Sequence, residues 1–273
     1  MAYCIKDENM VIFSVIIPTH NRKDALLATL NRYSEQTIGL KNFEVIIADD
    51  GSTDGTKNAI REHLDKYNFK IKYLRNEKNV GPATIRNKAI SIARGEYVLL
   101  TGDDIIPSKE LLYEHLKIHK KTKGIAVLGY TPWYEKINPT EFMEFILDGY
   151  QFDYKNLKNM QKLDYTKFYT SNISLERDWF EKEQFDEKLP HPAFEDIEFG
   201  YRLQKQGITV IFNKNAIAFH NHEITENEFY RKSKYTGMAA AYVYKKFPEI
   251  KDLNKLKMKS LLLISATPLI YIF

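Results

Sequence analysis

A single cysteine, Cys4, stands among 273 residues, so no disulfide can form within the chain and a reducing compartment is the expected setting. Charge of one sign is not in excess either. Forty Lys and Arg against 36 Asp and Glu leave +4, too little to argue for a nucleic-acid partner. No internal repeat or low-complexity linker occurs. The opening residues hold no secretory apolar region, because Lys6, Asp7, Glu8 and Asn9 interrupt it and Pro18 closes the short apolar run that follows. The expected location is cytoplasmic. Long uncharged runs are lacking until 260–273, which follows Lys251, Lys255, Lys257 and Lys259. As a helix this run would extend about 21 Å, short of a hydrocarbon layer of roughly 30 Å, and Pro268 would interrupt it. Three readings stay open for it: a helix docked on the core, an interfacial segment with a basic collar at the inner face of the cell membrane, or part of a spanning helix.

The first half alternates short apolar runs with helical patterns, the signature of a parallel sheet flanked by helices. Strands are predicted at 12–17, 43–48, 71–74, 97–100 and 125–128. Helices are predicted at 22–35, 56–67, 83–93 and 109–121, with start signals at Asp54, Pro82 and Ser108. Past Gly129 the alternation lapses into an aromatic stretch around Trp133, Phe142, Phe145, Tyr150, Phe152 and Tyr154, which suits a substrate lobe or lid. Further on, a strand is expected at 168–175, a helix at 195–206, strands at 209–212 and 216–219, and helices at 226–246 and 251–265. The class is α/β: a Rossmann-like, mostly parallel sheet in a domain at 1–224, with a regular half at about 11–129, a less regular half at about 130–224, and a helical extension at 225–273.

Asp103 and Asp104 follow the apolar run Tyr97-Val98-Leu99-Leu100, and along the chain no basic residue comes after them until Lys109. Adjacent carboxylates resist joint ionisation unless a cation shares them. A divalent metal carrying a diphosphate would supply that cation at the carboxyl end of a buried strand, where open α/β sheets bind ligands. Pro18-Thr19-His20-Asn21 follows the first predicted strand. Asp49-Asp50-Gly51-Ser52-Thr53-Asp54 follows the second, and a carboxylate there can accept the imide N–H of a pyrimidine. In Asn79-Val80-Gly81-Pro82-Ala83-Thr84-Ile85-Arg86-Asn87, Gly81 permits close backbone approach, Pro82 opens a helix and Arg86 lies within reach of a phosphate.

Taken together and in order, Ser14 to Arg22, Ile47 to Asp54, Asn79-Val80-Gly81 to Arg86-Asn87 and Gly102-Asp103-Asp104 resemble glycosyltransferase family 2. The resemblance implies the GT-A fold and inverting transfer of a sugar from a nucleotide donor with a divalent metal, Mn2+ or Mg2+. It further implies that Pro18, Thr19, His20, Asn21, Asp49, Gly81 and Arg86 border the donor, that Asp50 binds uracil, that Asp103 contacts sugar or ribose and that Asp104 binds the metal. Many members carry a third acid where this chain has Gly102, so another ligand is expected. On a strand running from Ala216 to His222, alternation puts His220 and His222 on one face, and imidazole suits manganese. The stretch Phe194-Glu195-Asp196 resembles the family's Glu-Asp motif and holds the catalytic acids. Helical spacing groups Asp196 with Phe199, Gly200 and Leu203, facing inward, and Glu195 with Glu198 and Arg202 on the polar side, which favours Asp196 as base.

The expected activity is hexosyl or hexosaminyl transfer from a UDP-sugar to a glycan or lipid-linked hydroxyl in cell-surface polysaccharide synthesis, with no nucleic acid involved. The alternatives are a nucleotidyltransferase, although no early glycine-rich, basic triphosphate loop is present, and a non-catalytic nucleotide- or glycan-binding module on the same fold.

Overall fold

The computed structural model describes residues 11–147, 152–191 and 193–250. The strands β1 (Phe13–Thr19), β2 (Phe43–Asp49), β3 (Lys70–Arg75) and β4 (Tyr97–Thr101) form a parallel array ordered β3-β2-β1-β4. The residues of β1, β2 and β4 are largely apolar on both faces because helices cover both, whereas the edge strand β3 carries Lys70, Lys72 and Arg75 and is only partly buried. Ile16, Ile46, Val98 and Leu100 pack with Ile85 and Ala89 of α3 (Pro82–Ser91) on one side. Phe13, Val15, Ile17, Val45 and Leu99 pack with Leu26, Leu30 and Tyr33 of α1 (Lys23–Tyr33) on the other. Each fully buried side chain of this kind contributes roughly 1.5–3 kcal/mol. The helix α2 (Thr56–His63) follows β2 and ends in a single 3-10 turn at Leu64–Lys66.

Beyond β4 come β5 (Ile105–Pro107), α4 (Leu111–His119), β6 (Ile125–Tyr130), α5 (Glu141–Phe145) and β7 (Lys162–Leu163). They are followed by β8 (Asn172–Glu176), α6 (Asp178–Lys182), α7 (Glu195–Lys205), β9 (Thr209–His220) and α8 (Glu226–Lys246). The sheet continues without a break as β4-β8-β6-β9-β5, with β8 antiparallel between β4 and β6, β9 parallel to β6, and β5 and β7 antiparallel to β9. This α/β sheet bears out the expected class.

Two expectations differ from the structure, and a third, the helix at 226–246, is met. The strand expected at 168–175 begins only at Asn172, because Asp164 caps a 3-10 turn at Tyr165–Lys167 by accepting from the Thr166 N–H. The strands expected at 209–212 and 216–219 are one strand, β9, whose register against β6 jumps from Gly129↔Asn213 to Tyr130↔Ile217. Lys214 and Asn215 bulge out to solvent there. The helix expected at 226–246 is α8, opened by a capping box of Thr225 and Glu228. The helix expected at 251–265, and Cys4, lie outside the described residues.

Candidate active site

The carboxyl ends of β1, β2 and β4 open onto one cleft of about 570 Å3. It is lined by Pro18, Thr19, His20, Arg22, Asp50, Gly81, Arg86, Asp103, Asp104 and Glu195, among others. Residues from five separate motifs thus meet where an open α/β sheet binds ligands.

The paired carboxylates sit at its floor. Thr19 Oγ1 donates to Asp103 Oδ2 at 2.7 Å, and Thr29 Oγ1 holds the Asp103 carbonyl at 2.7 Å. The Arg22 guanidinium lies across both acids, 3.5 Å from Asp103 and 3.0 Å from Asp104. His220 Nε2 stands 3.3 Å from Asp104 Oδ2. Burial and the charge of Asp104 push Asp103 up to about 7, against Arg22 and Thr19. Burial would also raise Asp104, but His220, Arg22 and His222 outweigh it and hold that carboxyl well below the usual range. Below neutrality the two acids therefore carry one negative charge between them, on Asp104.

A divalent ion fits this floor in part. Asp104 and His220 offer one carboxylate oxygen and one imidazole nitrogen 3.3 Å apart, while His222 lies past the end of β9 with its ring 6.3 Å from that of His220. Trp133 stacks on His220 at 4.8 Å and fixes its plane. No group of three or more His, Cys, Asp or Glu suited to a metal occurs among the described residues. One or two protein ligands completed by substrate phosphates is the usual arrangement for Mg2+, and the imidazole also suits Mn2+. Gly102 has a steric reason: a Cβ there would lie 2.7 Å from Asp104 Oδ1 and 3.2 Å from Ile105 Cγ1.

At the nucleoside end, Asp50 accepts from Asn76 Nδ2 at 2.7 Å, from Gly81 N at 2.8 Å and from Val80 N at 3.1 Å. Its carboxylate is thereby fixed in place, and an incoming imide N–H has to share an oxygen with these donors. Asp49 does not line the cleft. It is fully buried, accepting from Ser52 N at 2.8 Å and from the Tyr73 hydroxyl. Asn21, at φ 55°, is exposed and ties loops together by accepting from Thr53 N at 2.7 Å.

On the opposite wall Arg86 NH1 meets Glu195 Oε1 at 2.7 Å, both largely buried, with the guanidinium 5.7 Å from the Phe185 ring centre. Glu195 is thus committed to a cation. Asp196 is not, and its Oδ1 accepts from the N–H of Ile197 at 2.8 Å. Burial and the charge of Glu195 push Asp196 up to about 7. The helical faces differ from the expected ones. Glu195 and Glu198 are more buried than Asp196, because the stripe expected to be solvated is an interior ionic network. Arg202 grips Glu198 with two bonds at 2.9 Å and also meets Glu183, while Lys246 of α8 reaches Glu198 at 2.9 Å. Arg22 and Trp133 escaped the sequence reading as site residues. Arg22 directly follows the Pro-Thr-His-Asn loop, which was the available signal.

The glycosyl transferase family 2 profile matches residues 14–183. The chain belongs to this family. An uncharacterized glycosyltransferase of Bacillus subtilis, YfnE, is 26% identical over 293 residues, covering 86% of this chain and 73% of that protein. The chain spans about half or less of several other curated family relatives it matches. Among solved structures, a mannosyltransferase of Pyrobaculum calidifontis in complex with GDP-Man and Mn2+ aligns with TM-score 0.68 at 18% identity, covering 92% of this chain and 70% of that one. S. aureus TarS in complex with UDP-GlcNAc aligns with TM-score 0.64 at 18% identity, covering 92% and 72%. The family's GT-A fold is therefore the fold of this chain.

Proposed function

We propose that the protein transfers a hexosyl or hexosaminyl group from a UDP-sugar to a hydroxyl of a glycan or lipid-linked acceptor, with inversion, in cell-surface polysaccharide synthesis. The observation that carries this reading is the single cleft joining Asp50, Asp103, Asp104 and Arg22 at the strand ends to the Arg86–Glu195 wall next to Asp196. The TarS complex with UDP-GlcNAc supports UDP as the donor nucleotide.

In this reading Pro18, Thr19, His20 and Asp50 hold the nucleoside, and Asp103 holds ribose or sugar. Asp104 and His220 would hold Mn2+ or Mg2+, with His222 behind them, and the ion when bound supplies positive charge to the departing diphosphate. Asp196 accepts the proton of the acceptor hydroxyl. That oxygen then bonds to the anomeric carbon as the bond from this carbon to the diphosphate oxygen breaks, the electron pair leaving with UDP. A carboxylate whose proton affinity is raised toward neutrality is a stronger base than an ordinary one. Glu195, held by Arg86, keeps it so.

Thermal unfolding with nucleoside diphosphates, each with Mn2+ and with chelator, tests the donor site. Saturation at 100 times the dissociation constant adds about 2.7 kcal/mol. A metal-dependent shift with UDP is expected, together with UDP release from one UDP-sugar in the presence of acceptor. Pyrophosphate release from a nucleoside triphosphate would instead assign a nucleotidyltransferase, and UDP binding without any transfer a binding module.

A further inference from the structure

We propose that the outward face of α8 docks the protein on an anionic lipid bilayer beside the mouth of the cleft. This goes beyond the transfer reaction and can be read without it. The inner face of α8 is accounted for: Ala239 and Val243 are fully buried against Phe194, Tyr165 and Tyr201. The outer face is not. Tyr230, Met238 and Tyr244 are 47%, 48% and 41% exposed, and Arg231, Lys234 and Lys245 are exposed among them. No Asp or Glu occurs from 229 to 248, and none of these three cations has an ion-pair partner among the described residues. A solvated helix face ordinarily mixes the two signs.

Two features select a bilayer over a soluble polyanion. Lys and Arg answer to either, but tyrosine and methionine side chains standing among them match the boundary between headgroups and acyl chains, which a polymer in water does not offer. The chain also continues from α8 through Lys251, Lys255, Lys257 and Lys259 into the uncharged run 260–273, which extends the same chemistry along the sequence. The placement has a consequence for access. Tyr235 of α8 packs its ring 4.7 Å from that of His191, and His191 lines the cleft. A surface held by α8 is therefore held next to the opening through which an acceptor enters.

The test is sedimentation of the full chain with vesicles of phosphatidylcholine alone and of phosphatidylcholine with phosphatidylglycerol. Binding only to the anionic vesicles, weakening with salt, is expected. Arg231→Gln, Lys234→Gln and Lys245→Gln combined should weaken it roughly 100-fold, from about fivefold for each charge at such a surface. Tyr230→Ser with Met238→Ser should lower the part that survives high salt. An unchanged melting temperature in each variant secures folding. Absence of binding by the native chain overturns the proposal, as does equal binding by the triple variant, which would assign the attachment to the residues after α8. Vesicle binding abolished by soluble polyphosphate and indifferent to the Tyr230 and Met238 changes overturns it in favour of a polyanion.

Discussion

Glu195 and Asp196 are neighbours in sequence with different surroundings: Arg86 pairs with one at 2.7 Å, while the other is buried beside the charge of Glu195, accepts from the Ile197 N–H and is reached by Arg86 only through space. If Asp196 is the base, kcat should rise with pH through about 7, where its carboxyl ionises. Asp196→Asn should abolish transfer while leaving the UDP-induced thermal shift in place. A fully active Asp196→Asn enzyme would remove Asp196 from the role. Gly102 allows a second test in the same cleft. Gly102→Ala brings a Cβ to within 2.7 Å of Asp104 Oδ1, an acid already held by Arg22 and His220. Displacing it should weaken the metal-dependent part of UDP binding by roughly tenfold, the lower end of what disturbed support of a ligand costs. An unchanged Mn2+ titration would place the metal elsewhere.

At the level of elements, burying one face of α7 against α8 turns a polar stripe into a core. Glu198 is fully buried and receives Arg202 and Lys246. Glu198→Ala removes the anion shared by Arg202 and Lys246, which keep Glu183 and Asp186, and should cost about 1.5–3 kcal/mol in denaturant unfolding, the range for hydrogen bonds to charged groups. Lys205→Ala, which breaks an exposed pair with Glu249, should leave the midpoint unmoved. A loss below about 1 kcal/mol in Glu198→Ala would show that the network is solvated after all. The same network explains why the faces of α7 were misread. Periodicity separates polar from apolar stripes but cannot tell that a later helix will cover the polar one. The strands β1, β2, β4 and β6 were legible because they are nearly continuous apolar runs and β3 because Ile71, Tyr73 and Leu74 stand out between Lys70, Lys72 and Arg75, and the strand-end motifs placed Asp50, Asp103 and Asp104 together. The short strands β5 and β7 carry too few residues for a period, and the pairing of Arg22 with Asp103 and Asp104 is a contact across the sheet edge that spacing does not encode.

Across the whole molecule the buried ionisable groups set a balance of protons. Behind the sheet, His115 and His119 share Ser174 Oγ at 2.8 and 2.7 Å, and His115 also meets Asn172 at 2.9 Å. Burial pushes them down to about 4 and about 3, so they stay neutral in the folded state at pH 5 to 6. The unfolded chain binds a proton at each in this range, because its histidines titrate near 6.5. Asp103 and Asp196 do the reverse. Raised to about 7, they hold protons in the folded state that unfolded aspartates have released. Stability rises with pH where the unfolded state binds more protons and falls where the folded state does. Two groups on each side cancel, and His222, held below its ordinary value by burial, adds to the unfolded side, so unfolding free energy with chelator present should rise slightly from about pH 5 to 6. Below about 4 it should decline, as the aspartates gain protons in the unfolded chain while Asp104 resists them in the fold. Single substitutions unbalance the sum in opposite directions. Asp196→Asn removes a proton from the folded side, so stability should climb by about 1.4 kcal/mol per pH unit between 5 and 6. His115→Asn removes one from the unfolded side, so stability should drop at the same rate, whatever its absolute cost. Urea midpoints across this window measure both slopes, and parallel curves for the two variants would mean that these four groups do not govern the pH response.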